Sequence, residues 1–274
     1  MVARPSQAPQ PISSQPLSLM TPAQGAEIKA RIKLVATDMD GTITNNGKFS
    51  PLLLEALANL GAMGIKVIVT TGRSAGWVQG IFHYLPEVPV VGAIAENGGL
   101  YYPSSLAHPQ FLSPLGNLQT HRQNLTTTFQ HLCQHFPRLQ ESSDNLFRLS
   151  DWTFDVSGLS LEELTTLETL CYQQGWGFTY SNVQCHIKPQ GQDKARGLQQ
   201  VLSQYFPELQ LNQILTIGDS INDESMFNPE EFPLSIGVAN IQHYLSALKY
   251  HPTYITTHPE VTGFAELVNL LSSS

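Results

Sequence analysis

The chain reads IKLVATDMDGT over residues 32–42, so that a short apolar run ends directly in two aspartates. Comparable apolar runs recur along the chain, at residues 66–70, 90–95, 214–217, 235–238 and 253–256. Short, nearly continuous apolar strands are typical of a parallel sheet that is covered on both faces. Stretches with helical periodicity alternate with these runs, at residues 51–63, 75–84, 194–206 and 264–271. The alternation predicts an α/β fold built on a doubly wound parallel sheet.

A segment of different character, residues 104–187, interrupts this alternation. Its apolar residues follow helical spacing over residues 118–136, and a capping-box sequence at Ser160–Glu163 predicts the start of a second helix. A strand-like stretch follows each helix, at residues 145–156 and 177–188. We therefore predict a Rossmann-like core formed by residues 30–103 and 188–274, with a small α+β cap domain inserted over residues 104–187.

The N-terminal residues 1–29 begin with a segment that is rich in Pro, Gln, Ser and Ala and has no hydrophobic periodicity. Such a segment has too little apolar surface to offset the entropy that is lost on ordering. We therefore predict that residues 1–29 form a disordered tail.

The composition narrows the possible classes of function. The 274 residues carry 22 acidic and 14 basic side chains, and the formal net charge of −8 argues against a nucleic-acid-binding surface. The three cysteines lack CxxC spacing, which favours free thiols in a reducing compartment. No apolar run approaches the ~18 residues that span a bilayer, and no secretory signal is recognisable. We expect a cytoplasmic protein, monomeric or homodimeric, with no membrane or nucleic-acid partner.

Four polar clusters lie at or just beyond the C-terminal ends of predicted strands, at residues 38–40, 71–73, 96–98 and 219–223. In an open parallel sheet this edge is where ligands bind, so the clusters should converge there. Several carboxylates with Asn and Ser oxygens form the hard, oxygen-only donor set that suits Mg²⁺. A Thr hydroxyl and turn amides suit phosphate oxygens. The sequence therefore predicts a site for Mg²⁺ and a phosphate group.

Four ordered motifs carry a resemblance to a known family. They are DMDGT at residues 38–42, TTGR at residues 70–73, Lys194 at the start of a helix, and GDSIND at residues 218–223. Together they resemble the motifs of the haloacid dehalogenase superfamily of phosphatases. The insert between the second and third motifs resembles the branch with an α/β cap, which includes Cof-type sugar phosphatases, archaeal-type phosphoglycolate phosphatases, sucrose-phosphate phosphatases and phosphomannomutases.

The resemblance implies a role for each motif residue. Asp38 would be the nucleophile that forms an aspartyl-phosphate, and Asp40 the general acid and base. The implied Mg²⁺ ligands are Asp38, Asp40 through its backbone carbonyl, Asp219 and Asp223. The implied phosphate-binding residues are Thr71, Gly72, Arg73, Lys194 and Asn222. For Arg73, a salt bridge at the edge of the core is the alternative interpretation.

The cap offers candidates for reading the rest of the substrate. Strand alternation places Gln184, His186 and Lys188 on one face, and residues 151, 153 and 155 form the corresponding polar set of another predicted strand. If the apolar faces of both strands pack on the cap helices, these polar faces point toward the catalytic edge. His186 and Lys188 are then candidate substrate-binding residues. The alternative is a sheet face that contacts only water.

These observations favour an enzyme over other classes of protein. The expected activity is Mg²⁺-dependent hydrolysis of a small phosphorylated metabolite, such as a sugar phosphate or a phosphoglycolate-type monoester. One alternative is a phosphomutase on the same scaffold. Another is a non-catalytic protein that binds a phosphorylated metabolite, although a binding protein has no need of the acid/base group at Asp40.

Overall fold

The computed structural model describes residues 18–84, 89–104 and 108–272. Within these residues the strands are β1 Ser18–Leu19, β2 Leu34–Thr37, β3 Lys66–Thr70, β4 Val90–Ala95, β5 Leu100–Pro103, β6 Gln110–Phe111, β7 Trp152–Asp155, β8 Trp176–Tyr180, β9 Gln184–Pro189, β10 Ile214–Gly218, β11 Ser235–Gly237 and β12 Tyr254–Ile255. The α-helices are α1 Pro22–Arg31, α2 Pro51–Ala62, α3 Ala75–Tyr84, α4 Leu118–His135, α5 Leu161–Gln173, α6 Lys194–Tyr205 and α7 Glu260–Ser272. None of these helices is long and apolar enough to cross a membrane.

Among the described residues, nine strands form the core sheet, in the order β1-β12-β11-β10-β2-β3-β4-β5-β6. Along this order, all neighbouring strands from β1 through β12, β11, β10, β2 and β3 to β4 pair in parallel. Strands β5 and β6 then extend the sheet in antiparallel orientation. The central strand β2 is paired on both sides, with β10 and β3, and all four of its residues are buried. This arrangement confirms the predicted doubly wound α/β fold.

Helices cover both faces of this sheet because successive strand residues point to opposite sides. In β2, Val35 belongs to an apolar cluster that includes Leu57 of α2 and Phe264 of α7. The preceding residue, Leu34, belongs to the opposite cluster, which includes Leu198 of α6. Burial on both faces explains why the strands read as continuous apolar runs rather than as alternating ones.

The N-terminal region corrects one prediction. We predicted a disordered tail over residues 1–29. Residues 1–17 lie outside the described residues. Residues 18–29, in contrast, are ordered, so the prediction is wrong for this part. Helix α1 begins with a capping box in which Thr21 and Gln24 exchange hydrogen bonds. Its Ile28 is buried, and Gly25 packs against the backbone of Leu270 in α7. Packing against α7 provides the apolar burial that the local composition lacks.

The inserted segment forms a small domain with its own core. Helices α4 and α5 pack on an antiparallel sheet of order β7-β9-β8, and their apolar side chains form a separate cluster. The strand predicted over residues 177–188 is in fact the hairpin β8–β9, which turns at residues 181–183. The boundaries also shift, because β6 belongs to the core sheet and β9 extends to Pro189.

The contact between α1 and α7 generates a stability prediction. A Cβ atom added at Gly25 would lie 2.6 Å from the backbone oxygen of Leu270, whereas one added at Gly80 in α3 would have no atom within 4 Å. Gly25→Ala should therefore lower the free energy of unfolding by about 1 kcal/mol, because over-packing costs ~1–3 kcal/mol and outweighs the gain in helix propensity.

The matched variant Gly80→Ala should be neutral or stabilising by up to about 1 kcal/mol. Urea denaturation of both variants measures the difference. Equal stability changes at the two positions would show that α1 does not dock on α7.

Candidate active site

The predicted polar clusters meet at one edge of the core sheet. Asp38 follows β2, Thr71 follows β3, Glu96 follows β4 and Asp219 follows β10. These four strands are adjacent and parallel, so their C-terminal ends lie side by side. The backbone N–H of Asp38 donates to the carbonyl of Ile217 in β10 (2.8 Å), which fixes the loop after β2 beside the loop after β10.

The loop after β2 can approach Asp219 closely because residue 41 is a glycine. Gly41 has a φ of +84°, a conformation that side chains disfavour. A Cβ atom at this position would lie 2.4 Å from Oδ2 of Asp219. The next turn is a hairpin at Asn46–Gly47, in which both residues have positive φ and Asn45 pairs with Lys48. We call residues 45–48 the flap.

Three buried carboxylates face one another at this edge. Ligand oxygens of Asp38, Asp219 and Asp223 lie within 4.8 Å of one another. The ammonium of Lys194, at the start of α6, forms a short ion pair with Asp38 and a 2.6 Å ion pair with Asp223. Burial and the neighbouring carboxylates raise the pKa of Asp219. Burial opposes the charge of Lys194 as well, but its contacts with Asp223 and Asp38 raise its pKa.

The charges of this site fit a divalent cation. The carboxylates of Asp38, Asp40, Asp219 and Asp223 face two cationic groups, Lys194 and Arg73. When all four carboxylates are ionised, two negative charges remain uncompensated in a buried space, which is costly without a counter-ion. The raised pKa of Asp219 expresses this cost. All the available donors are oxygens, the ligand type that Mg²⁺ prefers.

The carboxylate of Asp40 is held apart from the other three. It accepts two hydrogen bonds from the guanidinium of Arg73, at 2.6 and 2.8 Å. This bidentate bond raises the pKa of Arg73, and the guanidinium also lies over the ring of Trp77, 5.8 Å from its centre. The salt-bridge interpretation of Arg73 therefore agrees with the structure.

A small, mostly polar cavity opens onto Asp38 and Asp40. It contains about 280 Å³ of empty space, including its mouth. The core contributes Asp38, Asp40, Thr71, Gly72, Arg73, Ser220 and Asn222, and the cap contributes Ser181, Val183, Gln184 and His186. The cap therefore closes the catalytic edge with the β8–β9 turn and the first residues of β9.

His186 lies at the junction of cap and core. Its Nδ1 forms a 2.8 Å hydrogen bond with the carboxylate of Asp151, which is itself paired with the buried Arg148. Its Cε1–Nε2 edge lies over Gly72, where an added Cβ atom would approach Nε2 to 3.1 Å. Burial lowers the pKa of His186, and the charge of Asp151 opposes this effect. A neutral imidazole bound to Asp151 through Nδ1 presents Nε2 as an acceptor.

Comparison with known proteins identifies the family. Residues 35–114 and 161–268 match the model of the haloacid dehalogenase-like hydrolases. The chain belongs to this family. A phosphoglycolate phosphatase of Saccharolobus solfataricus is 25% identical over 244 residues, which cover 88% of this chain and 96% of the relative. A phosphoglycolate phosphatase of Thermoplasma acidophilum is 26% identical over 198 residues, 72% of this chain and 81% of the relative.

Solved structures of other proteins share the fold. A crystal structure of a Thermoplasma acidophilum protein has a TM-score of 0.68 at 20% identity, over 87% of this chain and 99% of that chain. The sucrose-phosphatase of Synechocystis, solved with sucrose and phosphate, has a TM-score of 0.64 at 16% identity, over 88% and 98%. The family match and the sequence relatives make the chain a phosphatase of the haloacid dehalogenase-like family.

Not every predicted cap residue of this haloacid dehalogenase-like phosphatase reaches the cavity. Lys188, which we expected to contact substrate, is buried outside it and donates a short hydrogen bond to the carbonyl of Gln192. Alternation places Lys188 on the same face as His186, but it lies two residues farther from the cavity, beside the chain that returns to the core. Asp155, the last residue of β7, is exposed.

Sequence reasoning missed two residues that join the cap of this phosphatase to its core. The buried carboxylate of Glu96 accepts hydrogen bonds from the N–H groups of Ala75, Leu149 and Ser150 at 2.9, 3.0 and 2.6 Å. The guanidinium of Arg148 donates to the carbonyl of Gly72 at 2.8 Å. The signal for Glu96 was its place at the end of β4, but its partners Leu149 and Ser150 are 53 and 54 residues away.

Proposed function

We propose that this phosphatase is Mg²⁺-dependent and hydrolyses a short phosphorylated acid of the phosphoglycolate type through an aspartyl-phosphate on Asp38. The observation that carries the proposal is the buried group of Asp38, Asp219 and Asp223 around Lys194, beside a small cavity. The cavity gives Asp38 access to a substrate, and the surrounding charges suit both a cation and a phosphoryl group.

In the first step, an oxygen of the Asp38 carboxylate attacks phosphorus, and the bond from phosphorus to the ester oxygen breaks. The leaving oxygen needs a proton, and Asp40 lines the same cavity. Asp40 would donate this proton from an oxygen that is protonated and released by Arg73, while its second oxygen stays bound to Arg73 and so restricts the orientation of the group. In the second step, Asp40 takes a proton from water, and the water oxygen attacks phosphorus. The bond from phosphorus to the Asp38 oxygen breaks, which releases phosphate and restores the Asp38 carboxylate.

The phosphoryl group would be held by residues from three loops. The Thr71 hydroxyl oxygen accepts the N–H of Arg73 at 3.1 Å, so its own proton is available for a phosphate oxygen. Lys194 opposes the charge that develops on the phosphoryl oxygens. Gly72 and Asn222 complete the wall, and a side chain at position 72 would crowd His186 and Asn97.

Mg²⁺ would be held by Asp38, Asp219 and Asp223, with the backbone carbonyl of Asp40 as a further ligand. When bound, it supplies Lewis-acid stabilisation of the phosphoryl charge and offsets the negative charge of the attacking carboxylate. The carboxylate of Asp40 is directed to Arg73 rather than to this group, which agrees with a role in proton transfer.

A short acid is favoured over a sugar phosphate by the size of the cavity. The cavity is small, because its empty space of about 280 Å³ includes the open mouth. Among the described residues that line the cavity, Arg73 carries a positive charge. Its guanidinium can pair with a substrate carboxylate. The relatives named phosphoglycolate phosphatases support the same class of substrate.

The nucleophile is tested by substitution. Asp38→Asn should abolish turnover, because it removes the nucleophile and one metal ligand together. Asp40→Asn should lower kcat by ~10²–10⁴-fold, the usual contribution of a general acid or base. Steady-state release of phosphate measures both effects, and Asp155→Asn, an exposed cap carboxylate, is the matched control. An Asp38→Asn enzyme with more than about a tenth of wild-type activity would contradict the covalent mechanism.

The metal requirement is tested by exchange of cations. EDTA should abolish phosphate release and Mg²⁺ should restore it. Ca²⁺ should restore little activity, because it prefers more ligands at longer distances than Mg²⁺ does. Full activity in EDTA after extensive dialysis would show that the carboxylate group acts without a metal.

The role of the cap is tested with two substrates. On phosphoglycolate, His186→Ala should lower kcat/KM roughly tenfold, about 1.4 kcal/mol, because the substrate loses a contact beyond its phosphate. On p-nitrophenyl phosphate the same change should have little effect. The control is His135→Ala, on the exposed side of α4. Equal losses on both substrates would indicate damaged folding, and no loss on either would place His186 outside the recognition of substrate.

A further inference from the structure

Asn240 reaches the carboxylate group from a loop that none of the four motifs includes. Strand β11 is the neighbour of β10, so the loop that follows β11 lies beside the loop that carries Asp219. This loop forms a short 3₁₀ helix, Ala239–His243, and the half-buried Asn240 is its second residue.

The side-chain amide of Asn240 joins three separate segments. Its Nδ2 donates to Oδ2 of Asp219 at 2.8 Å and to the carbonyl of Gly41 at 3.0 Å. Its Oδ1 accepts the backbone N–H of Glu260 at 3.1 Å. The two acceptors and the one donor determine the orientation of the amide, because a flipped amide would lose all three hydrogen bonds.

Glu260, whose N–H donates to Oδ1 of Asn240, has an unusual backbone conformation. Glu260, the first residue of α7, has a φ of +52°, which is uncommon for a residue other than glycine. Its carboxylate accepts the backbone N–H of Asn46 in the flap, at 3.3 Å, and the next residue, Val261, donates its N–H to the carbonyl of Thr44. The start of α7 therefore binds the flap on one side and Asn240 on the other.

Asp219 is held at both of its carboxylate oxygens. The hydroxyl of Thr42 donates to Oδ1 at 2.9 Å, and Asn240 donates to Oδ2. Thr42 belongs to the loop after β2, so it moves with the catalytic aspartates. Asn240 belongs to a different segment and is the residue that ties Asp219 to α7.

We propose that Asn240 is a positioning residue for the metal site, which holds the carboxylate of Asp219 and the Gly41–Thr42 peptide, next to the carbonyl of Asp40, in the orientation that a bound Mg²⁺ requires. The inference rests on the proposed Mg²⁺ dependence. Without Asn240, Oδ2 of Asp219 and the carbonyl of Gly41 lose their shared donor, and the Asp219 carboxylate keeps the hydrogen bond from Thr42 at Oδ1. Partners of this kind typically contribute ~10–100-fold to metal affinity.

The test is calorimetric titration of Mg²⁺ into the full-length protein, without substrate. Asn240→Ala should bind Mg²⁺ about 10–100-fold more weakly than the wild type. Its kcat at saturating Mg²⁺ should approach the wild-type value, because the residue does not contact the reacting groups. Asn240→Ser, which has a hydroxyl too short to bridge both acceptors, should show the same loss and serves if the alanine variant does not fold. Asn212→Ala, an exposed asparagine in another 3₁₀ turn, is the control.

The possible results separate this inference from the proposed function. If the wild type binds Mg²⁺ and both Asn240 variants bind it equally well, Asn240 has no positioning role. A lowered melting temperature of the metal-free variants with unchanged Mg²⁺ affinity would also overturn it, since that is the result expected of a structural role alone. If the wild type binds no Mg²⁺ by calorimetry, the proposed cofactor is wrong, and the positioning role is wrong with it.

Discussion

The rest of the site depends on one electrostatic constraint, which is that three buried carboxylates share the space around the ammonium of Lys194. Buried charges are stable only when they are paired and hydrogen-bonded. The parallel sheet meets this requirement because β10 and β2 are neighbours and bring their aspartates to one edge. Backbone N–H groups of Asp219 and Ser220 then donate to Asp223 at 2.9 and 3.0 Å. The charge is concentrated where a cation and a phosphate group can use it.

Much of this arrangement could be predicted from the sequence, because its determinants are local. Each core strand is a continuous apolar run, and each motif follows the end of its strand, so the rule for parallel sheets brings the motifs together. Helix α1 could not be predicted in the same way. Its capping box at Thr21 is readable, but the surface that buries Ile28 is provided by α7, at the other end of the chain. Composition alone therefore favoured disorder.

The cap shows where strand alternation stops being informative. Alternation specifies the face on which a side chain lies, and it placed His186 correctly toward the core. It does not specify how far along the strand the core extends, which is why Lys188 on the same face is turned to the returning chain instead. Arg148 gave no signal at all, since its bonds to Gly72 and Gln184 join residues 76 and 36 positions apart. Such contacts are properties of the assembled domains.

The position of the cap is determined largely by a turn of the core. Glu96 and Asn97 have φ values of +53° and +51°, and a left-handed non-glycine residue costs of order 1–3 kcal/mol. This conformation directs the Glu96 carboxylate to the backbone of residues 149–151, and those hydrogen bonds offset the cost. Because Arg148 and Asp151 lie in or beside this anchored segment, His186 is placed relative to the core rather than to the cap alone. Substitutions in the β8–β9 turn can therefore reshape the cavity wall while the anchor, and with it the alignment of His186, stays intact.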